Sequence, residues 1–193
     1  MRVSRAQAAE NRQNVIDVAS RLFREHGFDG IGLKDLMEGA GMTQGAFYKQ
    51  FASKEDLVAQ ASARALEGAT RRWSDAAAAN PEDPLGAVIA FYLTKEHREA
   101  KMEGCPLVAL GGDASRQGAE VRASFESGIR EHLRVLTRLI SKADAEEKRD
   151  SKAMAILSTM VGALILSRAV IDPRLAQSFL DAAAESVREA ASS

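Results

Sequence analysis

The sequence predicts an all-α fold of about nine helices, and three observations support this. The chain contains only 4 prolines in 193 residues, and the first of them is Pro81. Its N-terminal part therefore lacks the strongest helix breaker. Apolar residues recur at helical spacing, and no segment alternates convincingly as a strand. Hydrophobic residues make up 46% and charged residues 27% of the chain, which is typical of a soluble globular protein.

Two helices are predicted in the first forty or so residues. The first has an apolar stripe at the i, i+3, i+4, i+7, i+8 spacing of an amphipathic helix, formed by Val15, Val18, Ala19, Leu22 and Phe23. Gly27 ends it, because glycine readily adopts the left-handed conformation of a helix C-terminus. The second is short and ends at Gly41, and its apolar face consists of Leu33, Leu36, Met37 and Ala40.

A third helix is predicted over residues 44–50, and a long fourth helix follows it. Thr43 can cap the third helix, which buries Phe47 and Phe51 at an i, i+4 spacing. Ser53 opens the fourth helix, where its hydroxyl and the Asp56 carboxylate can form a capping box.

Residues 80–84 (Asn-Pro-Glu-Asp-Pro) form the clearest break in the chain, since two prolines and two acids suit a turn better than a helix. Beyond this break, helices are predicted near residues 84–101, 105–112, 117–142, 148–170 and 173–191. This gives an N-terminal unit over residues 1–54 and a larger helical unit over residues 55–193.

The order helix, short helix, three-residue turn, short helix is that of a helix-turn-helix, which predicts DNA binding. The two phenylalanines can anchor the third helix and leave its other side for DNA. Gln44 can form two hydrogen bonds to adenine, and the small Gly45 and Ala46 allow close approach of the backbone. Thr43, Tyr48 and Lys49 can contact phosphates from this region. Lys54 can do so from the N-terminus of the next helix.

Residues 10–57 resemble the DNA-binding domain of the TetR family of transcriptional regulators. The resemblance is carried by Gly27-Phe28, Ala40-Gly41, Tyr48, Phe51 and Lys54-Glu55. The family usually has hydroxyl residues, which cap the second helix and commonly contact a phosphate, where this chain has Ile31-Gly32. Gly32 can still cap the helix, and Lys34 can substitute for the lost phosphate contact.

For the second unit, the resemblance implies a ligand pocket and a homodimer built from the last two long helices. Residues 104–117 resemble a segment in one branch of the family and are expected near the pocket, where Arg116 can pair with an anionic ligand. The candidate ligand-binding residues are Cys105, Leu110, Arg116, Phe125, Ile129 and His132.

The dimer also has support from the residues themselves. The helix predicted over 148–170 is apolar on more than one face and needs cover from two sides. A fully buried helix within a monomer is the alternative. The candidate interface residues are Ile156, Met160, Gly162, Ala163, Leu164, Leu175, Phe179 and Ala183.

Cys105 precedes Pro106 at the predicted start of a helix, where a thiol can become reactive. A buried, inert cysteine is the other interpretation, and it is the one we favour. His132 can face the pocket or fill the core. The sequence has no metal-binding spacing, phosphate loop or catalytic triad, so we expect no metal, no cofactor and no enzymatic activity. An enzyme using Cys105 as nucleophile, with His132 or His97 as base, is the alternative from a different class.

The resemblance thus implies a ligand-responsive, homodimeric repressor that a small-molecule effector releases from a palindromic DNA operator. An activator or dual regulator of the same fold is the second interpretation. Residues 1–20 lack the hydrophobic run of a signal peptide, and the apolar stretch 153–167 is shorter than the ~20 residues needed to cross a bilayer. We therefore expect a cytoplasmic protein that does not span a membrane.

Overall fold

The computed structural model describes residues 4–140 and 145–192, which form ten α-helices and no strand. The predicted all-α class is confirmed. The helices are α1 Arg5–His26, α2 Leu33–Gly39, α3 Gln44–Phe47, α4 Lys54–Ala79, α5 Pro84–Tyr92, α6 Lys95–Glu99, α7 Pro106–Ala114, α8 Ala119–Leu139, α9 Glu146–Ala169 and α10 Pro173–Ser192. The end predicted at residue 142 for the helix that is now α8 lies outside the described residues.

The helix bounds of the N-terminal unit follow from capping chemistry. The Ser4 side chain accepts a hydrogen bond from the Gln7 N–H at the start of α1. Gly27 ends α1 with a φ of 78°, and its N–H donates to the Phe23 carbonyl at 2.8 Å. The buried side of α1 is formed mainly by Val15, Ile16, Ala19 and Phe23. The predicted end at Gly27 is confirmed. Of the predicted stripe, three residues are buried, whereas Val18 and Leu22 are half-buried against the same core.

The segment predicted as one helix over 84–101 is two helices, and this correction raises the count from about nine to ten. Asp83 caps α5 through the Gly86 N–H at 2.9 Å, and Pro84 occupies the first turn. After Leu93, the Thr94 hydroxyl accepts a hydrogen bond from the His97 N–H and starts α6. The local cap at Thr94 thus breaks the helix that the spacing of apolar residues suggested.

Helix α4 connects the two parts of the molecule. Its N-terminal half packs against α1, and it also packs along α8 and against α5. Helix α8 contacts α9, which in turn lies against α10. The short α7 contacts α1, α4, α8 and α9, so it touches both the N-terminal unit and the larger helical unit.

Five of the eight predicted dimer-interface residues are buried inside the single chain, and this part of the prediction is corrected. Their apolar side chains face the chain's own core because α9 packs on α8 and α10, so they add no area to a contact with a second copy. They are Ile156, Met160, Ala163, Leu164 and Ala183. Gly162 and Phe179 are half-buried, and Leu175 is exposed.

Within the described residues, α9 is also long and apolar enough to cross a membrane by length and composition. Core helices of soluble proteins pass the same test, so this is weak evidence for a membrane span. The side of α9 that carries Ala153, Met160 and Leu164 is fully buried in the protein core.

Candidate DNA-binding site

Two aromatic rings hold α3 in place. Phe47 and Phe51 are buried, with exposed fractions of 1% and 4%, and their rings stack with centroids 5.4 Å apart. Leu36 and Met37 of α2 are buried in the same core. The predicted anchoring of α3 by two phenylalanines is therefore confirmed.

The turn between α2 and α3 depends on Gly41, whose φ is 70°. Its N–H donates to the Glu38 carbonyl at 2.9 Å, and the Met42 N–H donates to the Met37 carbonyl at 2.8 Å. Residues with a side chain rarely adopt a positive φ, which explains the glycine. Thr43 occupies the N-cap position of α3, but its hydroxyl makes no capping hydrogen bond.

Helix α3 itself is shorter than predicted. It ends at Phe47, and the next three residues of the predicted helix 44–50 form a turn in which the Gln50 N–H donates to the Phe47 carbonyl at 2.8 Å. The aromatic anchor is unaffected, because the Phe51 N–H also donates to the Phe47 carbonyl, at 3.0 Å.

Most of the predicted DNA contacts lie together on the outer side of this short helix. Five residues, which we term the α3 face, are exposed: Thr43, Gln44, Gly45, Tyr48 and Lys49. The Tyr48 side chain is 70% exposed, and a Cβ at Gly45 would meet no other atom within 4 Å. Ala46 differs from the other predicted residues because it is half-buried and packs partly against the core. The outer side of α3 is thus not covered by the protein's own body.

Polar side chains of α1 fix the position of the turn and of α3. The Asn14 amide donates to the Ala40 carbonyl at 2.9 Å, and the Arg12 guanidinium donates to the Gln50 carbonyl at 3.2 Å. The same guanidinium lies 4.9 Å from the centre of the Phe51 ring. These two roles could not be predicted from the sequence, since a polar residue beside an apolar stripe gives no signal of its distant partner.

Lys54 has a structural role that the sequence did not indicate. Its ammonium donates to the carbonyls of Phe28 and Ile31, at 2.7 and 2.9 Å. These two hydrogen bonds connect the start of α4 to the loop before α2. One N–H of the ammonium is left for a DNA phosphate, so the phosphate contact stays a prediction.

The N-terminal caps of α4 and α2 also lie near this surface. The Ser53 hydroxyl accepts from the Asp56 N–H, which confirms the predicted cap, but the Asp56 carboxylate accepts from the N–H of Ala52 and not from that of Ser53, so the capping box is incomplete. Gly32 is the N-cap of α2 and provides no side-chain hydrogen bond. Lys34 is exposed beside it, 3.8 Å from Glu38, so its contact with a phosphate stays a prediction.

The helix-turn-helix formed by α2, the turn at Gly41 and α3 is similar to that of known proteins. Residues 15–61 match the model of the family described as bacterial regulatory proteins, tetR family. These residues include α2, the turn and α3. The chain contains the DNA-binding domain of the TetR family. The predicted family is thereby confirmed, and the chain is a DNA-binding transcriptional regulator and not an enzyme.

Several transcriptional regulators are similar in sequence to this chain. The HTH-type transcriptional regulator LmrA of Bacillus subtilis is 23% identical over 162 residues, which cover 82% of this chain and 86% of LmrA. The transcriptional repressor KstR2 of Mycobacterium tuberculosis is 29% identical, with 62% of this chain and 58% of KstR2 covered. The regulator AcrR of Shigella flexneri is 31% identical, but the match covers only 53% of this chain and about half (51%) of AcrR.

Solved structures of TetR-family proteins share the whole fold. The reduced form of Escherichia coli NemR has a TM-score of 0.77 and 19% identity over 93% of this chain and 96% of NemR. A TetR-family regulator from Cytophaga hutchinsonii has a TM-score of 0.80 and 18% identity over 100% of this chain and 97% of that protein. At such low sequence identity, the structural similarity establishes the fold alone.

The predicted ligand-binding residues do not all lie together in the structure. A groove of about 620 Å³ opens between α7, α8 and α9, and two of the predicted residues, Phe125 and Ile129, line it. Leu110 is buried in the core, and the exposed Arg116 forms an ion pair with Asp113 at 2.7 Å. Neither of them lines this groove, and Cys105 and His132 do not line it either.

Cys105 and His132 belong to a buried polar region of the core. His132 is fully buried between Thr70 and Trp73; its Nδ1 lies 3.1 Å from the Thr70 hydroxyl and 2.8 Å from the Gly128 carbonyl. Burial lowers the pKa of His132. Among the described residues, its Nε2 atom has no hydrogen-bond partner.

The environment of Cys105 favours the inert interpretation of this residue. Its side chain is 2% exposed at the N-cap of α7. Burial raises the pKa of the thiol, although the neighbouring Tyr92 phenol opposes the shift. A buried thiol with a raised pKa is a poor nucleophile. His97, the other candidate base of the enzyme alternative, is half-buried, and its Nδ1 lies 2.7 Å from the Tyr92 carbonyl.

Both ends of α7 are connected to the N-terminal unit. The buried Arg24 of α1 donates to the Gly104 carbonyl, just before α7, at 3.0 Å. At the other end, the Asp113 carboxylate accepts a hydrogen bond from the Phe28 N–H at 3.3 Å. Burial lowers the pKa of Arg24 to about 10, so this side chain stays charged at neutral pH. A displacement of α7 would therefore act directly on the end of α1.

Proposed function

We propose that this protein is a homodimeric repressor that binds a palindromic DNA operator and that a small-molecule effector releases from it. One observation carries the DNA-binding part: the polar α3 face is exposed on a helix fixed by two buried phenylalanines. A rigid helix with a short polar outer side fits the major groove, where base edges are read. We propose a cytoplasmic location for this activity.

The contacts with DNA are assigned by side-chain chemistry. Gln44 is proposed to read a base pair, since its amide can donate and accept hydrogen bonds at once. Lys34, Thr43, Tyr48, Lys49 and the remaining donor of Lys54 are proposed to bind phosphates. Gly45 allows the backbone to approach the bases, and Ala46 contributes only through its partly exposed methyl group.

The homodimer is proposed to form through the outer sides of α9 and α10, not through their buried sides. On α9, this outer side consists of Ala155, Ser158, Gly162, Ile165, Leu166 and Ala169. Ile165 and Leu166 are 44% and 48% exposed, and a Cβ at Gly162 would meet no atom within 4 Å. Leu175 and Phe179 of α10 continue this surface, as does the fully exposed Ile171. Apolar exposure of this kind marks an interaction surface.

A dimer explains how one short helix can select an operator. Two α3 helices separated by about 34 Å read two half-sites in successive major grooves. An effector releases the DNA only if it binds the two arrangements of the dimer with unequal affinity. The connections of α7 to Arg24 and Phe28 offer a route by which an effector near α7 changes the position of α1.

The test is fluorescence anisotropy with labelled DNA from the region that flanks the protein's own coding sequence. We expect sequence-specific binding that weakens steeply with salt, because phosphate contacts release counterions. A double variant, Gln44→Ala with Lys49→Ala, is expected to lose this binding. Equal affinity for flanking and scrambled DNA would contradict the proposal. Reporter assays with the gene deleted distinguish a repressor from an activator or dual regulator.

A further inference from the structure

The groove between α7, α8 and α9 has the size and the surface of a small-molecule site. Its volume of about 620 Å³ lies within the ~300–1,000 Å³ that is typical of ligand pockets. Its lining is largely apolar and comes from all three helices: Leu107, Phe125, Ile129, Leu133, Leu157 and Val161. An apolar body of modest size therefore fits this groove.

The charges at the groove are not balanced. Two arginines and one acid line it: Arg122, Arg130 and Glu126. Arg130 uses two of its donors on the same Glu126 oxygen, at 2.6 and 3.1 Å. Arg122 is exposed, and within residues 4–140 and 145–192 its side chain makes no ion pair. One guanidinium is thus left over beside an apolar surface.

We propose that this groove binds a small amphipathic anion, in which a carboxylate pairs with Arg122 and an apolar chain or ring lies on Phe125 and Leu157. A planar guanidinium binds a carboxylate through two parallel hydrogen bonds, which selects acids over alcohols or amines. The inference builds on the proposed function, because it gives the chemical class of the effector. It also replaces Arg116, which Asp113 already occupies, by Arg122 as the anion-binding residue.

The position of the groove connects it to DNA binding. Leu107, Gly111 and Ala114 of α7 form one wall of the groove. The ends of the same helix are hydrogen-bonded to α1 and to the Phe28 N–H. An anion that moves α7 when it binds therefore changes the position of the helix-turn-helix.

The experiment uses the full-length protein and the fluorescent anion 1-anilinonaphthalene-8-sulfonate. We expect this probe to bind and to be displaced by octanoate, dodecanoate or 2-naphthoate. The matched neutral ligands octanol, dodecanol and 2-naphthalenemethanol should bind at least about tenfold more weakly, since they lack the charge-assisted hydrogen bonds. Dodecyltrimethylammonium should not displace the probe.

Three variants assign the binding to this site. Arg122→Gln should reduce the affinity for acids at least about tenfold and remove the preference for acids over alcohols. Arg116→Gln is the matched control and should behave like the unmodified protein, because its guanidinium pairs with Asp113. Ile129→Trp should fill the groove and abolish binding of both classes of ligand. Circular dichroism verifies that each variant is folded.

Several results would overturn the proposal. Equal displacement by acids and alcohols, an unchanged preference in Arg122→Gln, or no binding of any acid would each do so. A smaller fraction of groove sites occupied by the probe at higher protein concentration would show instead that a second copy covers the groove. Anisotropy with operator DNA is measured in parallel. If acids bind in the groove but do not release the DNA, the ligand site is supported and the proposed control by an effector is contradicted. If the protein binds DNA but no acid, only the inference about the groove is contradicted.

Discussion

A lysine close to a DNA-binding surface can serve the fold of its own domain. Lys54 donates to the carbonyls of Phe28 and Ile31, whereas Lys49 is exposed on the α3 face. The sequence could not separate these two roles, because both lysines have the same charge and lie at the edge of the same motif. The difference arises from a loop that is distant in sequence and close in space.

We expect Lys54→Ala to destabilise the protein by about 1–3 kcal/mol, because two carbonyls lose a charged donor. Lys49→Ala is the control and should leave the free energy of unfolding unchanged while it lowers the salt dependence of DNA binding by about one counterion. Urea denaturation and anisotropy titrations at several salt concentrations measure the two effects. Equal stability of the two variants would show that the lysine–loop contact contributes nothing.

We expect Gln44→Ala to relax the preference for particular base pairs at a cost of about 1–3 kcal/mol, because the amide is assigned to base readout. Gln177→Ala, on α10 and bonded to Asp181, is the control and should leave DNA binding unchanged. Selection of preferred sites from a randomised DNA library provides the measurement. An unchanged preferred site in Gln44→Ala would remove this residue from base readout.

At the scale of elements, the turn between α2 and α3 is set by one backbone conformation. The positions of Gly27 and Gly41 were predicted as helix ends, and both have a positive φ. The shorter α3 and the break at Thr94 were not predicted, since a hydrophobic period continues across a local cap. A side-chain cap can end a helix even where the apolar spacing continues, and whether it does so depends on how the segment packs.

We expect Gly41→Ala to destabilise the protein by roughly 1–2 kcal/mol, because an L residue is strained at a φ of 70°. A Cβ at this position would meet no atom within 4 Å, so the cost comes from the backbone alone. Gly45→Ala is the control: it is helical, equally open, and should be neutral or slightly stabilising. Thermal and urea denaturation compare the two; equal effects would refute the assigned role of the positive φ.

At the scale of the whole molecule, the outer side of α9 is expected to control assembly. Leu166→Glu should raise the dimer dissociation constant at least about tenfold, because like charges would meet across the interface. Tyr48→Glu is the control, since Tyr48 is 70% exposed on the α3 face and lies on neither α9 nor α10. Sedimentation velocity at several concentrations measures both. A monomeric unmodified protein, or equal dissociation of the two variants, would contradict the proposed dimer.

The core also makes the stability of the molecule depend on pH. Burial lowers the pKa of His132 and of His97, whereas in the unfolded chain histidine binds a proton near pH 6.5. The unfolded state thus takes up more protons as the pH falls below about 6.5, and the free energy of unfolding decreases. His132→Gln should weaken this dependence between pH 7.5 and 5.5, while the control Gln177→Ala, which removes no titratable group, should not. Identical pH profiles for the two variants would contradict the assignment.

The sequence by itself determined the helical class, the helix-turn-helix, its aromatic anchors and its outer polar side. These features depend on contacts between residues a few positions apart, which the spacing of side chains records directly. The tertiary structure alone decided which side of α9 faces the core, why Lys54 is held by a loop, and which arginine borders the groove. Each of these depends on segments that are distant along the chain, so the same apolar or charged residue has several equally good partners until the helices pack.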